Sequence, residues 1–412
     1  MIEWSDEQLQ MQAAVRDFVQ REVVPRREEL EHGDLPPYDL LRSYVRTFGI
    51  DEMARERFAR EQDGPPFTTE ERYDRAVMTL LPMVEFCRHT PGLMTAMGVS
   101  MNLAGNAIKR GTPTQRERWA LPLLTLDKIG AWAITEPDSG SDAFGGMRST
   151  AVRDGDTFVL NGSKTFITNG PYADTTVFIC KLDDGVTPPR ERRVLSFILD
   201  KGMPGFEQSA PLRKMGLHSS PTGQLFLTDV EVGIERLIGG PAALGEGTPA
   251  KAAASTEETR RSRDAARAAF ASERASVAAM ALGTIEQCLD VAVDYARTRV
   301  QFGKPIGEFQ LIQNKLALME VARVNVQNML FRYLETMRAG KNLTFAEASA
   351  IKLYSARAAT EVALDAVQVL GGNGYMAEYH VEQLARDAKV LQIYAGTDEI
   401  QITHIAKDLL RR

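Results

Sequence analysis

The spacing of apolar residues changes period twice along this chain, and that double change restricts the possible folds more than any single motif does. From Ser5 to about Lys128 the period is helical. Asp6 and Glu7 enrich a first turn, Leu9, Val15, Phe18, Val19 and Val23 recur at helical offsets, and Pro25 breaks the run. Stretches rich in proline and acid, around His32 to Pro37 and Asp63 to Pro66, read as loops between helices. Near Trp132 short β-prone runs take over, among them Thr157 to Leu160 and Lys164 to Thr168. Asp154-Gly155, Asn161-Gly162 and Asn169-Gly170 punctuate them as turns of a β-meander. Further strands are expected at Thr175 to Leu182, Arg193 to Leu199 and Gln224 to Val232, giving a domain of antiparallel sheet.

After Gly240 the helical period returns, beginning with a stretch over 248–269 rich in alanine, arginine and glutamate that reads as solvated. From Glu273 onward, Val277, Met280, Thr284, Cys288, Val291 and Tyr295 fall in one narrow stripe of a helix, which should face a helix bundle. Helices at Leu311 to Met337, Thr344 to Leu370 and Val381 to Val390 follow, with Gly340 and Gly371-Gly372 as stops. The expectation is an α+β multidomain chain: an N-terminal α-helical domain over 1–129, a middle antiparallel β-domain over 130–242 and an α-rich C-terminal domain over 256–412.

At 412 residues the chain exceeds the size at which one hydrophobic core keeps growing, which agrees with several packed units. Its 44% hydrophobic and 25% charged residues exclude the disordered and fibrous classes. A formal net charge of -6, without a lysine-arginine stripe interleaved with aromatics, argues against nucleic acid as a partner. Met1 leads directly into Glu3, Asp6, Glu7 and Gln8, and no stretch reads as long and apolar enough to span a bilayer, so a cytoplasmic protein without membrane insertion is expected. Cys87, Cys180 and Cys288 lie far apart among apolar neighbours without metal-ligand spacing, and are expected as buried, reduced thiols.

Four segments could carry chemistry. Ala133-Ile-Thr-Glu-Pro-Asp-Ser-Gly-Ser-Asp142, with Lys164-Thr-Phe-Ile-Thr-Asn-Gly170, offers hydroxyl and backbone donors to a planar polar ligand, with Trp132 and Phe166 as walls. Taken alone it reads equally as a surface loop beside a hairpin. In Tyr295-Ala-Arg-Thr-Arg-Val-Gln-Phe-Gly-Lys-Pro-Ile-Gly-Glu-Phe-Gln310 a helix end presents Arg297, Arg299 and Gln301, which suits a pyrophosphate, or simply complements the helix macrodipole. Gln368-Val-Leu-Gly-Gly-Asn-Gly-Tyr375 mimics a dinucleotide fingerprint, yet it follows a helical run, so the Rossmann reading fails; close backbone approach to a cofactor and a plain helix cap both remain open. Leu391-Gln-Ile-Tyr-Ala-Gly-Thr-Asp-Glu-Ile-Gln401 is a short loop of small residues between two helices.

In this order and spacing the four segments resemble the acyl-CoA dehydrogenase family, over nearly the whole chain from about Ser5 to Leu410. The resemblance implies a helical domain, a β-domain and a C-terminal four-helix bundle, with FAD as cofactor, an acyl thioester substrate and a homotetramer or homodimer. It implies that Trp132, Ile134, Thr135, Ser141, Phe166, Ile167 and Thr168 hold the flavin ring, with Phe166 standing where many members have tryptophan. Arg299, Gln301, Phe309, Gln310, Gln368, Gly371 and Gly372 would reach FAD held mainly by a neighbouring subunit. Thr397 and Glu399 match further cofactor contacts, and Ser141 and Arg274 match positions near the substrate. An electron-transfer flavoprotein-like acceptor is implied as well.

One position breaks the pattern: Ala395 stands where many members carry the glutamate that removes the α-proton, and a methyl group accepts no proton. Glu273 continues an otherwise apolar helix face and precedes Arg274. A carboxylate there is partly desolvated, which raises its pKa, while the arginine favours its ionised form. In the isovaleryl-CoA and long-chain branches the resemblance places the base on this helix, opposite a small loop residue, and Glu273 with Ala395 fits that arrangement. The backbone N–H of Ala395 would still hold the thioester carbonyl. A solvated glutamate at a frayed helix start is the alternative. The linker from Gly245 to Glu273 is longer than the family norm, reading as a lid, an oligomer contact or a longer helix. Gln383 replaces a cation often found after Val381-Glu382, which implies a lost salt bridge. Other readings of the whole are a flavin monooxygenase or oxidase on the same fold, and a non-catalytic FAD- or thioester-binding member.

Overall fold

The computed structural model describes residues 4–33, 35–244 and 256–411, with side chains placed at all of these except 62, 63 and 256–271. Before the sheet the chain forms α1 (Asp6–Phe18), α2 (Arg27–His32), α3 (Tyr38–Thr47), α4 (Ile50–Asp63), α5 (Thr69–Cys87) and α6 (Pro91–Gly98), then the short turns α7 (Asn106–Ile108), α8 (Pro113–Gln115) and α9 (Leu121–Leu124). The strands are β1 (Gly130–Ala133), β2 (Thr150–Asp154), β3 (Thr157–Thr168), β4 (Thr175–Asp183), β5 (Val194–Asp200), β6 (Phe206–Gln208) and β7 (Thr222–Gly233). A two-stranded hairpin, β8 (Val300–Gln301) and β9 (Lys304–Pro305), separates α10 (Thr256–Thr298) from α11 (Gln310–Arg338). The chain ends with α12 (Phe345–Leu370), α13 (Val381–Lys389) and α14 (Asp398–Leu409).

Local chemistry sets the helix starts. Thr68 accepts from the Glu71 N–H while the Glu71 carboxylate accepts from the Thr68 N–H, and the same reciprocal box opens α1 at Ser5 and α12 at Thr344. The central helix is α10, whose stripe residues Val277, Met280, Thr284 and Cys288 are buried against α5, α11 and α12. One core therefore joins the first and last thirds of the chain, which the linear order of elements does not reveal.

Three expectations are corrected here. Residues Ser272–Thr298 are long and apolar enough to cross a membrane by length and composition, against the sequence reading; that apolarity follows from burial of the helix inside a bundle. The sheet is mixed and not purely antiparallel: β1 and β2 both lie parallel to β4, against its first and last residues, while the other pairings are antiparallel. Asn161-Gly162 is no turn. It is a bulge inside the single strand β3, where Gly162 adopts φ 150° and a Cβ would overlap Ser149. The charged 248–269 segment lies outside the described residues up to 255; from Thr256 it is helix, continuous with α10.

Two polar clusters tie the helical units to the sheet. Buried Asn169, just past β3 at φ 64°, donates to the carbonyls of Ala96 and Gly130 at 2.9 Å each and accepts from the Tyr38 hydroxyl at 3.1 Å. Near α13, Gln383 accepts from Arg27 Nε (2.7 Å) and donates to Asp387 (3.1 Å) and to the His89 carbonyl (3.1 Å). The connection expected to be lost at Gln383 is thus made by a neutral amide bridging Arg27 and Asp387. Asp387 also accepts from the Leu217 N–H at 2.5 Å. Beside them the Glu31 carboxylate is buried, accepts no hydrogen bond among the described residues, and has His218 and Arg386 at 3.4 and 3.7 Å. Burial, reinforced by Asp387, pushes its pKa well above the ordinary 4.5.

Two outcomes are expected. At Gly283 a Cβ would overlap the Val84 carbonyl on α5, so Gly283→Val should lower unfolding stability by about 1–3 kcal/mol through overpacking, measured by denaturant titration. A carboxyl whose folded pKa is raised adds stability below its unfolded pKa, and that contribution is lost as pH rises through the folded value. The unfolding midpoint of the native protein should therefore fall more steeply than that of Glu31→Gln as pH rises from about 5 to about 8; parallel curves would show that Glu31 does not titrate this way.

Candidate active site

The residues singled out in the sequence gather in three places. The first is the sheet end where β1 leads into Ile134, Thr135 and Glu136. Lys164 and Glu136 form a fully buried ion pair at 2.8 Å, and Lys164 Nζ also donates to the Ile134 carbonyl at 3.1 Å. Glu136 accepts from the N–H groups of Arg148 (2.6 Å) and Ser149 (3.0 Å), and the Thr165 N–H donates to the Thr135 carbonyl at 2.9 Å. These bonds lock the Trp132–Glu136 run to β3. A second bulge between Lys164 and Ile167 puts Phe166 at φ 58° with 68% of its surface exposed, while Ile167 is buried and Thr168 pairs with Thr222. A bulky residue held left-handed and turned out to solvent marks stored strain at a site. The hydroxyls of Thr135 and Thr168 and the Trp132 indole N–H have no hydrogen-bond partner among the described residues. Ser141 is exposed on the following loop, which an Asp142–Arg190 ion pair anchors.

The second place is a groove of about 460 Å³ lined by Arg299, Gln301, Phe302, Phe309, Gly371 and Gly372, among others, and by no residue of the sheet. Gly371 (φ 60°) and Gly372 face open space, with nothing within 4 Å of where a Cβ would stand. Arg299 is exposed and has no ion-pair partner among the described residues. Gln310 and Gln368 are exposed nearby, at the start of α11 and in the last turn of α12, without lining the groove.

The third place is the loop before α14. Ala395 (φ 52°) and Gly396 (φ 85°) are both left-handed. Gln401 Nε2 donates to the carbonyls of Ala395 (3.0 Å) and Gly396 (2.9 Å), and buried Lys352 on α12 donates to the Gly396 carbonyl at 2.9 Å. Thr397 caps α14 by accepting from the Ile400 N–H, and exposed Glu399 in that first turn is held below the usual carboxylate range by helix-start hydrogen bonds. Glu273 on α10 is half-buried; burial raises its pKa, while Arg274 and Lys352 oppose the rise. Arg274 itself is buried, donates to Gln401 Oε1 at 3.1 Å and lies 4.4 Å over the Phe345 ring. Lys352 and Gln401 were missed in the sequence. Lys352 shares a helix face with Ala348, Ser349, Ala356 and Ala359, so a charge on an otherwise small, buried face was the available signal.

The first two places fit a flavin dinucleotide in kind: an outturned aromatic with free hydroxyls for a ring, and an unpaired guanidinium beside open glycines for a pyrophosphate. Models of the acyl-CoA dehydrogenase N-terminal, middle and C-terminal domains match residues 5–127, 131–230 and 263–410. The chain is 36% identical over 413 residues to an acyl-CoA dehydrogenase of Bacillus subtilis (strain 168), covering 98% of each. Its fold is similar to butyryl-CoA dehydrogenase from Megasphaera elsdenii, with TM-score 0.82, 31% identity and 100% coverage of both chains. It is also similar to the prolyl acyl carrier protein oxidase AnaB, with TM-score 0.80, 26% identity and coverage of 99% and 100%. The chain belongs to the acyl-CoA dehydrogenase family, whose members depend on FAD.

Removing one member of a buried pair leaves an uncompensated charge. Lys164→Met should therefore cost about 3–5 kcal/mol of stability, and the double variant with Glu136→Gln should recover part of that loss. A double variant no more stable than Lys164→Met would show that the pair is not the interaction that matters.

Proposed function

We propose that this protein dehydrogenates an acyl thioester, carried on CoA or an acyl carrier protein, to the 2-enoyl thioester, with Glu273 as the base. The observation that carries the assignment is Glu273 itself: a carboxylate on the buried stripe of α10, its pKa raised by burial, electrostatically coupled to the Lys352 that holds the Ala395 loop. Ala395 supplies only its backbone N–H, which receives the thioester carbonyl and stabilises the enolate-like charge that develops as Glu273 takes the α-proton. Arg274 and Lys352 favour the ionised form of Glu273 against the effect of burial. Bound FAD supplies the acceptor for the hydride that leaves the β-carbon. Trp132, Ile134, Thr135, Ser141, Phe166, Ile167 and Thr168 would hold its ring, and Arg299, Gln301, Phe309, Gln310, Gln368, Gly371, Gly372, Thr397 and Glu399 its remaining parts; Ser141 and Arg274 lie on the substrate side.

The same reading includes domain divisions at 129/130 and between 242 and 256, reoxidation by an electron-transfer flavoprotein-like acceptor, and a homotetramer or homodimer. Assembly is supported by the separation of the groove from the sheet-end residues within one chain, and by Leu311 and Leu318 standing 81% and 56% exposed on α11. The likeness to an acyl carrier protein oxidase favours one second reading, in which oxygen is the electron acceptor.

Anaerobic bleaching of the bound flavin by straight, branched and aromatic acyl thioesters is the test. Glu273→Gln should slow bleaching by about 10²–10⁴-fold, and the native rate should climb with pH along a limb above the ordinary glutamate value of 4.5. Equal bleaching in both proteins would remove Glu273 from the role, and oxygen consumption coupled to turnover would select the oxidase.

A further inference from the structure

We infer that Lys352 and Gln401 are positioning residues that hold the Ala395–Gly396 loop in its left-handed conformation and so aim the Ala395 N–H at the thioester carbonyl. The inference rests on the reading of Ala395 and Glu273 given above.

A left-handed alanine is disfavoured by about 1–2 kcal/mol, because its Cβ crowds the following carbonyl. Something must hold it there. The two candidate anchors come from different helices, Lys352 from the first third of α12 and Gln401 from the first turn of α14, and both side chains are buried. One amide, Gln401 Nε2, draws both loop carbonyls to itself, and the Lys352 ammonium takes the Gly396 carbonyl a second time. The two held carbonyls fix the peptide planes on either side of Gly396, and the Tyr394 N–H, donating to the Val390 carbonyl at 3.1 Å, holds the chain before them, so the Ala395 N–H in between is restrained from both sides.

Gln401 is in turn oriented, since its Oε1 accepts from Arg274, the residue next to Glu273. A continuous set of contacts therefore runs from the helix bearing the base to the loop bearing the carbonyl donor. Lys352 stands among Asp398 at 3.7 Å, Arg274 and Glu399, with Arg357 on the far oxygen of Asp398 at 2.9 Å. Its ammonium also lowers the pKa of Glu273 against the effect of burial. Gln401 is neutral and exerts no such pull. The two anchors therefore differ: both restrain the N–H, but Lys352 places a charge that acts directly on the base, whereas Gln401 reaches the base only through Arg274.

The experiment uses the FAD-loaded full chain and a chromophoric 3-aryl-2-enoyl-CoA, whose absorption moves to the red when its carbonyl is polarised. It compares the native protein, Lys352→Met, Lys352→Arg and Gln401→Met for red shift with this enoyl thioester, and for KM, kcat and pH profile with the saturated acyl-CoA that bleaches the native flavin fastest. Expected are loss of most of the red shift and a fall in kcat of about 10–100-fold in both methionine variants, as for misplacement near 1 Å, with little change in KM. In Lys352→Met the acidic limb of the profile moves to higher pH, further than in Gln401→Met, and Lys352→Arg restores that limb. Should Lys352→Met fail to fold or to retain FAD, Gln401→Met carries the red-shift comparison. A native red shift surviving intact in the methionine variants overturns the clamp. No red shift in the native protein overturns both the N–H assignment and the clamp. The base assignment is separate, since undiminished bleaching in Glu273→Gln leaves the red-shift comparison untouched.

Discussion

Burial of one face of α10 against α5, α11 and α12 is the constraint on which the C-terminal chemistry depends. Each large apolar side chain on that stripe contributes roughly 1.5–3 kcal/mol when fully buried, and the helices approach so closely at Gly283 that no side chain fits between α10 and the Val84 carbonyl. A helix seated this tightly cannot slide or rotate by a fraction of a turn without opening voids in a core packed to crystal density. Glu273 lies on the same stripe, one turn before Val277. Its depth, and hence its raised pKa, is inherited from the packing of residues that have no chemical role.

The sheet uses the opposite device, local irregularity held by a strong polar lock. β3 departs from regular pairing twice, and the second departure turns Phe166 outward in a conformation that costs energy. What holds it is the buried Lys164–Glu136 pair with its satellite backbone bonds, Lys164 being the residue at which the second departure begins. The loop at Ala395 and Gly396 repeats the logic in the helical part, with Lys352 and Gln401 as the lock. In both places a buried lysine satisfies carbonyl or carboxylate oxygens and fixes a strained backbone beside a proposed ligand position.

Much of this was legible in the chain. The helix-sheet-helix order followed from apolar periodicity, the α10 stripe was found by its offsets, and Glu273 stood out as an acid continuing an apolar face. Ala395 was identified as an exception through the resemblance, because it stands where many members carry a glutamate. The misses have specific causes. Gly162 was read as a turn because Asn-Gly favours turns locally, whereas a long-range contact with Ser149 is what requires the glycine. The parallel pairings of β1 and β2 with β4 join residues distant in sequence, which no local pattern encodes. Gln383 was read as a lost charge because its partners Arg27 and His89 lie about three hundred residues away in the chain.

The sequence by itself determined the order of the layers and the face that α10 buries, which depend on periodicity, and its motifs pointed, through their resemblance, to the family and to Glu273 as the proposed base. Only the tertiary structure decided that Phe166 and Ala395 are held left-handed, that Arg274 reaches Gln401 and not solvent, and that Lys352 stands within electrostatic reach of Glu273. The physical reason is that backbone strain and pKa depend on which distant groups the packing brings to a few ångströms, and a linear pattern of residue types carries no such distances.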